Sequence, residues 1–447
     1  MRKHLLVFFG IVLSALVVSF GIRALTSRPD AATLAVGRDI APLIEPLAVA
    51  PGSPGTPGDK IVRQAQGIIE RAPAHPAGFN LLAAAFMQKA RETGDFSFNT
   101  RAEAALDKSL LVKPDDYEAL KLRAKLLLTF HRFSEALTVA NRAAEINPQD
   151  HDIYGAMTDA LVELGRYPEA VEAAQKMVDL RPDTTSYSRV SHLRTLHGET
   201  AGAIEAMQLA SRAASSAQDP ESAAWVYVQL GDKLMTAGNL KEAEREYDRA
   251  LFSFPDYHVG LAGKARARLA AGDTQAAISF YTKAQERVPL PDTVIALGDL
   301  YKSLGRDEEA TRQYRLLEAI EGSGTPGADT YSSQIALFWA DHDMRLDDAL
   351  AVARRERKAR ADIYTSDTLA WCLYKRGELN EARTHIEEAL RLNTRDPRLH
   401  YHAGMIYSKI GDAAQARKHL QTALSLKTFL NPLHVRTAQQ TLQTVKA

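Results

Sequence analysis

The chain has 447 residues, and its 55 basic side chains balance 55 acidic ones. This balance argues against nucleic acid as the main partner, because binding to phosphates favours an excess of basic residues. The single cysteine, Cys372, excludes an intramolecular disulfide and a Cys-x2-Cys metal or redox site.

The N-terminal region predicts a membrane segment. Leu5 to Ile22 contains no charged residue and follows a short basic head. As a helix it would span roughly 27 Å, close to the hydrocarbon thickness of a bilayer. We expect residues 1–25 to be a signal anchor that keeps the rest of the chain outside the cytoplasmic membrane, in the periplasm or the extracellular space. The alternative is a cleaved signal peptide and a secreted chain.

Residues 26–58 are expected to form a flexible tether. The segment ends in the run Pro51-Gly-Ser-Pro-Gly-Thr-Pro-Gly. Proline and glycine in alternation support neither a helix nor a sheet, so this run should be extended. The folded part of the chain is therefore predicted to begin at residue 59.

The stretch from Val226 to Pro255 predicts two short antiparallel helices. Large and small residues alternate in it at helical spacing, and the pattern breaks at Gly238. Gly231 and Ala243 would let the two helices approach closely. Pro255 would end the second helix, because proline lacks a backbone N–H and clashes with the preceding turn.

Copies of this helix pair recur along the chain. Pro114, Pro148 and Pro182 are 34 residues apart, as are Pro255 and Pro289. The predicted turns contain glycine at positions 165, 198, 238, 272, 305, 377 and 411. We count about ten repeats. The pattern predicts one array over residues 59–321, a linker over 322–329, and further repeats over 330–447 that end in a polar capping helix.

The pattern resembles the tetratricopeptide repeat, a helix-turn-helix unit with the signature W-x2-L-G-x2-Y, A-x3-F and P. The matching residues in the best copy are Tyr227, Leu230, Gly231, Leu234, Ala243, Tyr247 and Pro255. The resemblance implies an all-α solenoid, a right-handed superhelix in which each repeat contacts its sequence neighbours. It also implies a scaffold that binds a partner protein or peptide in a concave groove. An accessory subunit of a secretion, envelope-assembly or enzyme complex is the alternative.

No pattern in the sequence predicts an enzyme. There is no glycine-rich phosphate loop, no Gly-x-Ser-x-Gly and no His-Glu-x-x-His motif. Cys372 lies between Trp371 and Leu373 inside a predicted helix, which favours a packing role. His385 and His419 occupy equivalent places in adjacent repeats, but a metal site there is weakly supported. We therefore expect no catalytic residue, no metal and no cofactor.

The resemblance implies that the first helix of each repeat lines the groove. In the two C-terminal repeats these helices present aromatic residues, which are enriched at binding hot spots. The predicted partner-binding residues are Tyr364, Asp367, Trp371, Tyr374, Arg398, Tyr401, His402 and Met405. The alternative is that Trp371 and Tyr401 pack against the capping helix or against each other. Asp159, Asp232 and Asp299 occupy one equivalent position in three middle repeats and predict a secondary, acidic groove for a basic or neutral segment.

Overall fold

The computed structural model of the chain describes residues 57–93, 95–214, 220–322, 332–426 and 430–445. Within these ranges the secondary structure consists of 22 α-helices without a strand, which confirms the all-α prediction. The helices are α1 (Pro57–Arg71), α2 (Pro76–Thr93), α3 (Ser97–Val112), α4 (Tyr117–Thr129), α5 (Phe133–Ile146), α6 (His151–Glu163), α7 (Tyr167–Leu180), α8 (Thr184–Leu196), α9 (Thr200–Ala213), α10 (Pro220–Thr236), α11 (Leu240–Ser253), α12 (His258–Ala270), α13 (Thr274–Arg287), α14 (Pro291–Ser303), α15 (Asp307–Gly322), α16 (Ser332–Asp341), α17 (Leu346–Ala359), α18 (Ile363–Lys375), α19 (Leu379–Ala389), α20 (Pro397–Ile410), α21 (Ala413–Ser425) and α22 (Pro432–Thr444).

The helices from α2 to α21 follow one another as ten pairs with a short turn inside each pair, as the repeat pattern predicts. Helix α1 precedes the first pair as a single helix, and α22 follows the last one. Helix α2 has 18 residues, whereas α4, the first helix of the next pair, has 13.

The turns inside seven of the pairs depend on glycine. All seven glycines that the sequence pattern singled out have a positive φ, between 67° and 95°. Residues with a Cβ rarely adopt this conformation, whereas glycine does so without steric cost. The glycine spacing therefore sets where each first helix ends and where the second begins.

Close helix contacts within the pairs depend on glycine in a second way. A Cβ added to Gly231 would lie 2.6 Å from the ring of Tyr247, and one added to Gly263 would lie 2.5 Å from the same ring. The ring thus fills the space that glycine leaves on its own first helix and on that of the following repeat. Tyr247 is fully buried as a result.

The described helices belong to two compact units. The first contains α1 to α3, α4 as far as Leu126, and residues 145–147, and its core includes Phe79, Leu82, Phe86 and Leu106. The second contains residues 127–144 and everything from Pro148 onward. Helices α15 and α16, which flank the predicted linker at 322–329, both belong to the second unit. Most of that linker lies outside the described residues.

Repeats that are distant in sequence touch inside the second unit. The backbone N–H of Ala361 donates to the carbonyl oxygen of Glu163 at 2.8 Å, and that of Ile363 donates to the hydroxyl of Tyr167 at 2.9 Å. The hydroxyl of Thr394 donates to the carbonyl oxygen of Leu196. These contacts join the turns after α6 and α8 to the connections before α18 and α20. The expectation that each repeat contacts only its sequence neighbours is therefore wrong for this unit.

One of the hydrophobic clusters in the second unit extends across the same contacts. One cluster of buried apolar side chains includes Leu161 and Leu196 from the middle repeats together with Trp371, Ile406 and Ala438 from the last helices. A chain of stacked repeats would divide its core between neighbouring pairs. This cluster extends over more repeats because the distant contacts bring two stretches of the array against each other.

The pair Glu163 and Arg360 gives one of these contacts a pH dependence. A carboxylate oxygen of Glu163 lies 2.6 Å from Arg360. Burial raises the pKa of Glu163 from 4.5 to about 7, with Arg360 opposing the shift and Asp362 and Asp159 adding to it. The pKa of Glu163 is higher in the folded state than in the unfolded state. The contribution of Glu163 to the free energy of unfolding is therefore complete below about pH 4.5 and is lost as the pH rises through about 7.

We expect the free energy of unfolding of Glu163→Gln, measured in urea, to depend less on pH between 5 and 8 than that of the wild type. The difference should be at most about 1.4 kcal/mol per pH unit, the value for one titrating group. The amide cannot ionise, so it removes this titration while keeping a side chain of similar size. Parallel pH profiles for the two proteins would show that Glu163 does not titrate in this range.

No helix within the described ranges combines the length and apolar character needed to cross a membrane. The predicted anchor at residues 5–22 and nearly all of the tether at 26–58 lie outside those ranges. Both remain predictions from the sequence.

Candidate functional site

Helices α18 and α20 hold the predicted partner-binding residues, and both begin at a capped N-terminus. Asp362 accepts hydrogen bonds from the backbone N–H groups of Tyr364 and Thr365. Asp396 does the same for Arg398 and Leu399. Such caps satisfy N–H groups that lack a partner within the helix. They fix where each helix starts, and so which side chains face the neighbouring helices.

Trp371 is enclosed by other side chains. Only 2% of it is exposed. Its ring stacks on Tyr374 with the centroids 4.8 Å apart, and on His402 at 4.1 Å. Its indole N–H donates to Oδ1 of Asp341 at 2.8 Å. The sequence predicted that this tryptophan is exposed in an open groove. That prediction is wrong, because the side chain is buried.

Tyr401 is covered by the C-terminal helix. It is 3% exposed and stacks on His434 of α22, with the ring centroids 4.3 Å apart. Nε2 of His434 lies 3.1 Å from Oδ1 of Asp341. Packing against the capping helix was the alternative left open by the sequence, and it describes the position of both aromatic residues. A partner would reach them only at the edges of this packing.

Asp367 and His402 form a buried, hydrogen-bonded pair. Both side chains are fully buried, and Nδ1 of His402 lies 2.8 Å from Oδ1 of Asp367. Nε of Arg398 lies 3.3 Å from Oδ2 of the same carboxylate, and its guanidinium lies 5.6 Å from the ring centroid of Tyr364. These four predicted residues therefore hold α18 and α20 together, and the fully buried Asp367 and His402 do not present themselves to a partner.

The predicted acidic groove is already paired within the chain. Arg189 binds the carboxylate of Asp159 through two hydrogen bonds of 2.9 and 2.6 Å. Asp232 accepts hydrogen bonds from Arg266 and from Tyr247, each at 2.6 Å. Asp299, which is 1% exposed, accepts from Tyr314, lies 3.0 Å from Nε2 of His342 and accepts from Asn431. Each aspartate thus has a partner on a later helix, which weakens the case for an acidic groove.

A cavity of about 260 Å³ brings several predicted residues together. Trp371, Tyr374, Tyr401 and Met405 line it, and so does Asp299. The residues that complete it were not predicted as partner-binding: Asp341, His342, Asp343, Lys375, Asn431, Leu433, His434 and Thr437. Taken together, the lining residues come from α14, α16, α18, α20 and α22 or from residues next to those helices. A second cavity, of about 280 Å³, shares Asp299, Asp341, Asn431 and His434 with the first and adds Arg266, Asp292 and Arg398.

The first cavity carries an ionised carboxylate. Burial alone would raise the pKa of Asp341, but His434, His402 and the indole of Trp371 lower it to about 2. Asp341 is therefore negatively charged at neutral pH. At the same cavity, Nζ of Lys375 lies 2.7 Å from Asp343 and 5.5 Å from the ring centroid of Trp371.

His419 and Cys372, which the sequence singled out, are both buried. Nδ1 of His400 lies 2.9 Å from Nδ1 of His419, so His419 pairs with His400 and not with the equivalent His385. Burial, followed by His400 and Lys418, lowers the pKa of His419 to about 4. Burial raises the pKa of the Cys372 thiol to about 12, which disfavours the nucleophilic thiolate. Across the described ranges no group of three or more His, Cys, Asp or Glu residues could hold a metal ion.

Comparison with known proteins confirms the repeat. A family model described as tetratricopeptide repeat matches residues 87–151, 228–290 and 368–430, and a second model with the same description matches 127–195. The chain belongs to the tetratricopeptide repeat family. The third match covers most of α18 and all of α19 to α21, which include Trp371, Tyr374 and Tyr401.

The curated relatives are distant. DnaJ homolog subfamily C member 3 from Gallus gallus is 24% identical over 199 residues, which are 41% of this chain and 39% of the relative. The protein of the same name from Homo sapiens is 23% identical over 201 residues, with 42% and 39% covered. The chain thus spans about two fifths of the length of the curated relatives that it matches.

Several solved structures are similar to parts of this chain. The human IFIT1 dimer with PPP-AAAA is 17% identical, with a TM-score of 0.48 and coverage of 74% of this chain and 77% of that one. The Cut9-Hcn1 structure is 13% identical, with a TM-score of 0.37 and coverage of 88% and 97%. YrrB, described as a tetratricopeptide repeat protein with an unusual peptide-binding site, is 18% identical, with a TM-score of 0.30 and coverage of 41% and 93%. Similarity at this level concerns the fold alone.

Proposed function

We propose that the chain is a non-enzymatic scaffold that binds a segment of a partner protein at the cavity beneath α22. Tetratricopeptide repeat proteins generally act as protein-interaction scaffolds. The observation that carries the proposal for this chain is the cavity itself, where Trp371, Tyr374 and Tyr401 meet the charged Asp341 and Lys375. Aromatic walls beside a few fixed charges are typical of surfaces that recognise a peptide side chain.

The partner would bind the accessible edges of this cavity. Trp371 and Tyr401 form its inner wall, whereas Tyr374 and Met405 are only partly buried and remain within reach of a partner. The predicted set of groove residues thus separates into a buried part that builds the site and a more accessible part that would make the contacts.

Site-specific photo-crosslinking tests the proposal. A benzophenone amino acid at position 374 should crosslink to a polypeptide other than this chain, in cells that express the protein at native level. The matched control is the same amino acid in place of Phe252, which lies on α11 and is 89% exposed. Crosslinks at 252 but not at 374 would place partner binding elsewhere on the array.

The second candidate is an accessory subunit of a secretion, envelope-assembly or enzyme complex whose activity lies in another chain. A scaffold of this kind would use the same cavity. The two candidates separate by what the crosslinked partner is. A partner with catalytic or transport activity that changes when the interaction is lost favours the accessory role.

We also propose that the repeats lie outside the cytoplasmic membrane and that residues 5–22 hold the chain to it. The uncharged stretch from Leu5 to Ile22, after Arg2 and Lys3, supports this proposal.

For a test of this location, Leu13→Arg should release the intact chain from the membrane fraction, because arginine at the centre of a spanning helix costs roughly 2.5–3.5 kcal/mol. The control is Leu111→Arg, because Leu111 is exposed. Leu433 is unsuitable as a control position because it lines the cavity. A C-terminal reporter fusion that is active in the cytoplasm would exclude export. A mature N-terminus between Phe20 and Thr26 would favour the cleaved signal peptide.

A further inference from the structure

The size of the first cavity limits what it can hold. Its volume is about 260 Å³. Pockets for complete small molecules usually measure about 300–1,000 Å³, so this one suits a single long side chain better than a whole ligand. It lies beside partly buried Tyr374 and Met405, which gives an incoming side chain a route to the inner wall.

The inner wall is aromatic and apolar along one side. Trp371 and Tyr374 stack with nearly parallel planes, 16° apart, and Tyr401 meets Trp371 at a centroid distance of 5.6 Å. Leu433 of α22 adds apolar surface. Such a wall can pack against the methylene stem of a long side chain and attracts a cation that lies over a ring face.

The charge of the lining favours a cation. Three carboxylates line the cavity, those of Asp299, Asp341 and Asp343, against the ammonium group of Lys375 and the imidazoles of His342 and His434, which contact Asp299 and Asp341. Trp371 and His434 both contact Oδ1 of Asp341, which leaves its Oδ2 without a hydrogen-bond donor from the described part of the chain. An ionised carboxylate oxygen that is only partly exposed to water gains from a charged donor.

The chain already places one cation at this wall. Nζ of Lys375 lies 5.5 Å from the centroid of the Trp371 ring and 2.7 Å from Oδ1 of Asp343. Asp343 is 70% exposed, so this ion pair marks the solvent side of the cavity. The arrangement shows how a basic side chain can combine an aromatic face with a carboxylate here.

We propose that the cavity lined by Trp371, Tyr374, Tyr401 and Asp341 binds the side chain of an arginine or lysine in an extended segment of the partner protein. This inference rests on the proposed function and specifies the partner. The methylene stem packs on Tyr401 and Leu433, and the cationic group reaches Oδ2 of Asp341. An acidic side chain would meet like charges there, and an apolar one would leave that oxygen unpaired.

Short peptides test the inference with the purified chain. The probes are blocked pentapeptides of glycine with a central arginine, lysine, citrulline or glutamate. Citrulline keeps the shape of arginine and removes its charge. The readout is the indole N–H signal of Trp371 in a nitrogen–proton correlation spectrum, assigned with a Trp371→Phe variant. The arginine and lysine peptides should shift it at concentrations up to about 10 mM, a range suited to weak single-residue binding.

Two variants should change the affinity for the arginine peptide in opposite directions. Asp343→Asn leaves the ammonium group of Lys375 unpaired beside the cavity, so it should weaken binding of the arginine peptide about 3- to 10-fold, equivalent to about 1 kcal/mol. Lys375→Met removes the competing cation and should tighten binding. The matched control is Asp347→Asn, because Asp347 is 82% exposed and pairs with Arg376, one residue after Lys375. It should leave the affinity unchanged.

Equal shifts with arginine and citrulline, or no shift with any basic peptide, would overturn the inference. Equal effects of Asp343→Asn and Asp347→Asn would overturn it as well, since they would reveal a general charge effect. The crosslinking experiment tests the scaffold proposal separately from the peptide experiment. A partner that crosslinks at position 374 through a segment without arginine or lysine supports the scaffold but contradicts the basic side chain. Binding of the arginine peptide without any crosslinked partner would support the cavity and contradict the scaffold.

Discussion

Trp371→Ala should lower the free energy of unfolding of the second unit by about 3–5 kcal/mol, the usual cost of removing a large buried aromatic side chain. The ring is 2% exposed and lies between Tyr374 and His402. Its loss would also take a hydrogen bond from the buried side of Asp341. Helix α22 should become more mobile, because His434 shares Asp341 with the indole.

Tryptophan fluorescence in urea measures this effect selectively, because all three tryptophans, at positions 225, 339 and 371, lie in the second unit. The two that remain in the variant report on that unit alone. Trp225→Ala is the matched control, since Trp225 is 41% exposed. We expect it to change the stability by about 0.5 kcal/mol or less, as is usual for a surface substitution. If Trp371→Ala were equally mild, Trp371 would be accessible to a partner in solution.

Gly165→Ala should disrupt the contact between distant repeats. Gly165 has a φ of 67°, and a Cβ there would lie against the carbonyl oxygen of Ala361, far inside van der Waals contact. The positive φ costs roughly 1–3 kcal/mol for a residue with a side chain. Displacing the backbone at Ala361 adds about 1–3 kcal/mol through overpacking. We expect hydrogen exchange to accelerate both near Gly165 and near Ala361, which are far apart in sequence.

Gly238→Ala separates the two costs. Gly238 has a φ of 83°, so the backbone strain is similar, but a Cβ there would meet nothing within 4 Å. We expect this control to lose about 1–3 kcal/mol of stability for the strain alone, with faster exchange confined to its own repeat. Faster exchange that stays near Gly165 in Gly165→Ala would mean that the repeats couple only to their neighbours. The difference between Gly165→Ala and Gly238→Ala therefore measures the effect of the long-range contact.

The sequence by itself determined the helices, their pairing and their register. Prolines at intervals of 34 residues and the turn glycines of seven pairs act within a few residues of where they stand. A positive φ at Gly238 or the end of a helix before Pro255 is a local steric requirement, so one copy of the pattern predicts the others. The capping helix after the last pair followed from the same register.

The stripe on α18 and α20 was also correct as a pattern, since Trp371, Tyr374, Tyr401 and Met405 do meet at one cavity. The prediction that this stripe is exposed was wrong. Helical spacing tells which side chains share a face, but it does not tell what lies against that face. His434 of α22 covers Tyr401 through a contact that no local pattern predicts, because a polar terminal helix can cap the array in more than one orientation.

Only the tertiary structure decided the partners of the charged residues and the contacts between distant repeats. Arg189 neutralises Asp159, and Arg266 neutralises Asp232, so a predicted acidic ladder became a set of internal ion pairs. In a solenoid, small rotations from each repeat to the next accumulate, and such an accumulation would bring the turn at Gly165 to Ala361. Each rotation depends on how side chains such as Tyr247 fill the space between neighbouring helices. The sum over several repeats, which no single repeat contains, sets where the chain meets itself.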